Sequence, residues 1–80
     1  MLTPAQVRGA RAMLEMKQED LAKEAGTQRS VLAAFEGGQS TPREATLERI
    51  RDVLEAKGII FVETDVGVGV LIRGPESGTR

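Results

Sequence analysis

Four stretches of the chain repeat apolar residues at helical spacing, and a fifth does not. In the first, Val7, Ala10 and Leu14 form a stripe with Met13 beside it, while Arg8 and Glu15 fall on the polar side. Thr3-Pro4-Ala5-Gln6 opens this stretch. Thr3 can cap, Pro4 suits the first helical position, and Gln6 stands where a capping box places its Glu or Gln. A helix is predicted from Pro4 to about Glu15, kept thin by Gly9 and Ala12 for close approach to a neighbour. Met16 and Lys17 form a hinge. In the second stretch Leu21, Ala22 and Ala25 recur behind a first turn crowded with Gln18, Glu19 and Asp20, where acidic groups complement the helix dipole. Gly26 stops it, at a position that favours a residue tolerant of positive φ.

Gly26-Thr27 is the turn into the third stretch, in which Val31, Leu32 and Phe35 repeat the apolar spacing. A helix is predicted from about Gln28 to Glu36, ended by Gly37-Gly38. Helices this short are unstable alone, so these two must cross and share a core with their neighbours, which is the helix-turn-helix pattern. Gln39-Ser40-Thr41-Pro42 reads as a polar loop, and Thr41-Pro42-Arg43-Glu44 can form a second capping box. Leu47, Ile50, Val53 and Leu54 mark a fourth helix from Glu44 to Lys57, stopped by Gly58.

At Ile59 the period changes. Ile59-Ile60-Phe61-Val62-Glu63 is β-branched and aromatic, Thr64-Asp65-Val66-Gly67 carries a turn signal, and Val68 to Arg73 reads as a second strand weakened by Gly69. A two-stranded hairpin is marginal in water. It must lie on the helices, on the fourth in particular, or join the same hairpin of a second chain; the pattern leaves both open. Residues 74–80 hold no apolar anchor and read as a frayed tail. The organisation expected is a helical domain over residues 1–57, a hairpin over 58–73 and the tail.

Composition narrows the chemistry. Eighty residues make one domain with a small core, for which oligomerisation is a source of added stability. The chain has no Cys and no His, which removes disulfides, most zinc sites and most general-base mechanisms. No cofactor or metal is expected. The carboxylates of Glu19/Asp20 and Glu44/Glu48 sit on faces that read as solvated, and Gly67-x-Gly69 falls short of a dinucleotide fingerprint. An enzyme is not expected. No apolar run approaches the roughly 20 residues of a membrane span and no signal pattern opens the chain, so a cytoplasmic setting is expected, with no membrane partner. Eleven basic and twelve acidic residues give a net charge of −1 and a pI near 5.4. A nucleic-acid binder is usually basic, so any positive potential here must be local.

Taken together, Gln18-x-x-Leu21-Ala22-x-x-Ala25-Gly26, Leu32-x-x-Phe35-Glu36-x-Gly38 and Pro42-x-x-x-Thr46-Leu47-x-x-Ile50 resemble the Cro/C1-type (Xre-like) helix-turn-helix family over roughly residues 4–57. The resemblance implies a mainly α fold: a four-helix lambda-repressor-like DNA-binding domain, here with a C-terminal β-hairpin extension. It implies that Gln18 grips a phosphate, that Gln28, Arg29 and Ser30 face base edges in the major groove, and that Ala33 and Ala34 lie further along that face. Methyl groups at Ala33 and Ala34 can touch thymine but form no hydrogen bond, which leaves Arg29 as the strong candidate for a bidentate contact to guanine. Gln39, Ser40, Thr41 and Arg43 match the loop that contacts the DNA backbone. Lys17 replaces the usual Ser, Thr or Asn cap, losing the cap and placing a positive charge near the phosphates. Arg11 and Glu36 should meet as a structural pair.

Duller readings stand beside these. Gln18 can merely decorate a helix end, Gln28 can serve as an N-cap substitute, Ser30 suits any first turn, Arg29 can be an ordinary surface arginine, and Arg43 can pair with Glu44 or Glu48. The function expected is sequence-specific binding of double-stranded DNA by a homodimeric transcriptional repressor, with the helix over 28–36 in the major groove. Ile59, Ile60, Phe61, Val62, Val70, Leu71 and Ile72 are the expected dimer contact. The alternative is a protein–protein module or antitoxin that keeps the Xre-like fold with little DNA affinity.

Overall fold

The computed structural model describes residues 2–74. Four helices come first: α1 (Pro4–Leu14), α2 (Gln18–Glu24), α3 (Arg29–Glu36) and α4 (Glu44–Ala56). An antiparallel hairpin follows, of β1 (Ile59–Thr64) and β2 (Gly67–Ile72). No described helix is long and apolar enough to cross a membrane. The frayed tail expected over 74–80 lies, apart from Gly74, outside the described residues.

The core is where the apolar stripes converge. Val7 and Ala10 of α1, Leu21 and Ala22 of α2, Leu32 and Phe35 of α3, and Leu47, Ile50 and Leu54 of α4 are buried together with Leu2, Ala25 and Ile59. Val31 is only half-buried and stands outside this cluster. At the start of α1 the capping box forms in full: Thr3 Oγ1 accepts from Gln6 N at 3.1 Å, and Gln6 Oε1 accepts from Thr3 N at 3.0 Å. The second box, over Thr41–Glu44, does not form. There α4 begins at Glu44 with Arg43 as N-cap and no side-chain bond to the first turn. Its first-turn acid, Glu44, still complements the helix dipole.

The hairpin lies on its own helices, β2 over α1 and β1 against α4. Register pairs Ile59 with Ile72, Phe61 with Val70 and Glu63 with Val68, so these share one face, because directly opposed residues of an antiparallel pair point the same way. That face meets the helices: Ile59 is buried, and Phe61 and Val70 pack against the core. Of the residues expected at a dimer contact, Ile59 is buried within its own chain, and Phe61 and Val70 are half-buried against the same core. Val62 is half-buried, while Ile60, Leu71 and Ile72 remain exposed.

Two residues let the hairpin come this close. A Cβ at Gly9 would sit 3.2 Å from Val70 Cγ2, so β2 packs directly on the bare backbone of α1. Ala12, by contrast, is exposed. Gln6 is 4% exposed and its Nε2 donates to the carbonyls of Val62 (3.2 Å) and Gly69 (3.0 Å), opposed residues on the two strands. One buried amide thus caps α1 with its oxygen and holds the hairpin with its nitrogen. Every polar atom of that side chain is satisfied, which is what makes its burial tolerable.

Candidate nucleic-acid interface

The α2–turn–α3 unit is shaped by how its helices end. Gly26 has φ +70°, Gly26 N donates to Lys23 O at 3.1 Å, and Thr27 N donates to Ala22 O at 2.9 Å. At the end of α3 the same motif recurs, with Gly38 at φ +77°, Gly38 N donating to Phe35 O at 2.9 Å and Gln39 N to Ala34 O at 2.8 Å. These are Schellman closures, which need a left-handed residue and reverse the chain within a few residues. The first directs the chain from α2 into α3. The second wraps the Gln39–Thr41 loop back toward the end of α3. From α4, Arg49 Nε donates to Ala25 O at 2.8 Å and fastens the turn from behind.

A polar cluster fixes α3 against α1. Arg11 Nε and Nη2 donate to Glu36 Oε2 and Oε1, both at 2.7 Å, a bidentate pair with Glu36 3% and Arg11 21% exposed. Arg11 Nη1 also reaches Met16 O at 2.9 Å, and Arg8 Nη1 donates to the Glu36 carbonyl at the end of α3. Hydrogen bonding to Glu36 raises the Arg11 pKa above its ordinary value; burial opposes this, and the charge of Glu36 adds to it. The stability gained is therefore present below the ordinary arginine range and lost only above it, so Arg11 stays charged through all neutral conditions.

Gln18, at the start of α2, donates from Nε2 to Glu36 Oε1 at 3.0 Å. Its side chain belongs to this cluster as well as to the edge of the face where a phosphate contact was expected. Lys17 is exposed as the N-cap of α2 and makes no side-chain cap bond. Gln28, the N-cap of α3, likewise makes none; its Oε1 lies 3.5 Å from Ser30 Oγ. Gln28, Arg29 and Ser30 are exposed, and Ala33 and Ala34 are half-buried behind them. Gln39, Ser40, Thr41 and Arg43 are exposed along the following loop. Among the described residues neither Arg29 nor Arg43 forms an ion pair, so Glu44 and Glu48 do not neutralise Arg43.

Three anchoring residues are not marked as such by the sequence pattern. The apolar spacing puts Arg8 on the polar side, yet it lies three positions before Arg11 on the same helix and so reaches the same target. Gln6 reads in sequence only as a cap. Its place in line with Ala10 and Leu14, on the apolar stripe, is the signal that its amide would be buried. Arg49 left no such trace, since nothing local marks a contact to Ala25.

A short helix held by its ends and by a buried ion pair, presenting its first turn to solvent beside a polar loop, is the recognition unit of a DNA-binding helix-turn-helix domain. The family model described as helix-turn-helix matches residues 7–58. The chain belongs to the Cro/C1-type helix-turn-helix family. A comparison with curated proteins found no match.

Proposed function

We propose that the chain is a transcriptional repressor that binds duplex DNA sequence-specifically as a homodimer, with α3 in the major groove. What carries this reading is the first turn of α3. Gln28, Arg29 and Ser30 are exposed, the guanidinium of Arg29 forms no ion pair among the described residues, and the helix behind them is pinned by Arg11, Glu36 and Gln18. A rigid platform lets a side chain meet a base edge without ordering the backbone at the moment of binding. Lys17 and Arg43 flank α3 in sequence and supply local positive charge on a chain whose net charge is −1. Phosphate contacts from these residues, from Gln18 and from the Gln39–Thr41 loop set the register, while Arg29 supplies base readout. Two copies would read half-sites about 34 Å apart. Occupying a promoter excludes polymerase, which is the simplest form of repression open to a protein this small.

Fluorescence anisotropy with a labelled mixed-sequence duplex at stepped salt tests this reading. Two or three phosphate contacts per protomer predict a log–log slope of about −4 to −5 for the dimer. Arg29→Ala should cost about 1–3 kcal/mol at a selected site and much less on mixed sequence. Absence of binding at low salt would instead favour a protein-interaction module.

A further inference from the structure

Two elements send side chains to the far end of α3. From α1, Arg11 takes the Glu36 carboxylate with both arms, and Arg8 donates from Nη1 to the Glu36 carbonyl. From the start of α2, Gln18 Nε2 donates to Glu36 Oε1, while Arg11 Nη1 reaches the carbonyl of Met16, one residue before Lys17. This cluster sets two guanidinium groups against one carboxylate. Arg11 takes that carboxylate, so the charge left over is the one on Arg8.

Arg8 differs from Arg11 in its surroundings. It is exposed, and the positions three and four away along α1 are Pro4, Ala5, Arg11 and Ala12, none of them a carboxylate. Among the described residues Arg8 forms no ion pair, and the Glu36 carbonyl is its hydrogen-bond partner. A guanidinium carries five N–H donors in a planar fork, so this one anchor fixes the group and leaves most of its donors free. A cation held in place without a counter-ion suits a phosphate. Less side-chain freedom remains to be lost on binding, and no ion pair has to be broken first.

Place along α3 matters as much. Its eight residues rise about 12 Å, close to the roughly 12 Å width of the major groove. With the first turn of α3 at the base edges, its far end stands at the sugar–phosphate strand that bounds the groove. Arg8 and Gln18 both meet Glu36 at that end.

We infer that Arg8 is a further phosphate contact, which grips the same DNA strand as Gln18 and extends the nucleic-acid interface onto α1. The inference rests on the DNA-binding reading above. It adds an uncompensated cation to Lys17 and Arg43 on a chain whose net charge is −1. Arg8 contributes affinity without sequence discrimination, since a phosphate carries no base information.

Anisotropy of the full chain on labelled duplex at stepped salt tests this with two variants. Arg8→Gln keeps an N–H donor for the Glu36 carbonyl and removes the charge; Arg8→Lys keeps the charge. Arg8→Gln should make the log–log slope shallower by about 1 per protomer and weaken binding to mixed-sequence and selected duplexes by the same factor, whereas Arg8→Lys should keep the native slope. A residue that only pins α3 would behave differently: Arg8→Gln would lower the denaturation midpoint and weaken the selected site more than the mixed one, with the slope unchanged. That pattern would overturn the assignment. A native chain that binds no duplex at low salt would remove the DNA reading and this contact together, while native binding with an unaltered Arg8→Gln slope would remove the contact alone.

Discussion

Glu36 is the residue on which the α3 platform turns. Its carboxylate takes both arms of Arg11 and the amide of Gln18, while its carbonyl takes Arg8. Arg11→Ala leaves that carboxylate buried without its principal partner and should destabilise the chain by about 2–4 kcal/mol, read by chemical denaturation. Arg11→Met combined with Glu36→Leu removes both charges and should recover much of the loss, although Gln18 then loses its side-chain partner while Arg8 keeps the carbonyl of residue 36. Glu15 carries a different strain. At φ +53° it stands in the left-handed region, in a closure that α2 and α3 give to glycine, and it puts a negative charge at a helix C-terminus. Glu15→Gly should raise stability by about 0.5–1 kcal/mol, a shift of several degrees in Tm. The residues of Arg11–Glu36 were legible from the family pattern. The strained closure at Glu15 was not, because a glutamate at a helix end gives no sign of its φ until the next element fixes the direction of the chain.

At the scale of elements, the helices were legible because their apolar period and their glycine stops agree. Leu21–Ala25, Leu32–Phe35 and Leu47–Leu54 each bury the face their spacing marks. Helix starts were less legible. The Thr3–Gln6 box forms and the Thr41–Glu44 box does not, because α4 starts only at Glu44 and Arg43, at φ −59° and ψ 154°, takes the N-cap place that the box assigns to Thr41. The hairpin was legible as two strands, but its partner surface was not. Its place on α1 depends on Gly9 and Gln6, and a single glycine or glutamine in a helix pattern does not announce what it will touch. Gly9→Val should therefore act on the hairpin as much as on α1. The branched side chain would meet Val70 and cost about 1–3 kcal/mol through overpacking, and faster amide hydrogen exchange should appear across β1 and β2.

The whole molecule joins a rigid reading head to a hairpin laid on its own helices. Near-neutral net charge implies that binding depends on a few uncommitted cations and weakens steeply with salt. In the homodimer proposed above, affinity would come largely from doubling the contact rather than from one protomer. The family was legible from the spacing of Gln18, Leu32, Glu36 and Ile50 taken together. Which groups on the face are free was not, since the commitment of Gln18 to Glu36 and the freedom of Arg29 emerge only when α1, α2 and α3 meet. Titrating duplex DNA into isotopically labelled protein, with each backbone amide followed, shows which face of the domain meets the nucleic acid. The largest shifts should fall on Lys17, Gln18, Gln28, Arg29, Ser30 and the loop from Gln39 to Arg43, while the outer face of α4 stays still. Shifts concentrated on α4 or the hairpin, with the first turn of α3 unmoved, would contradict DNA binding through α3.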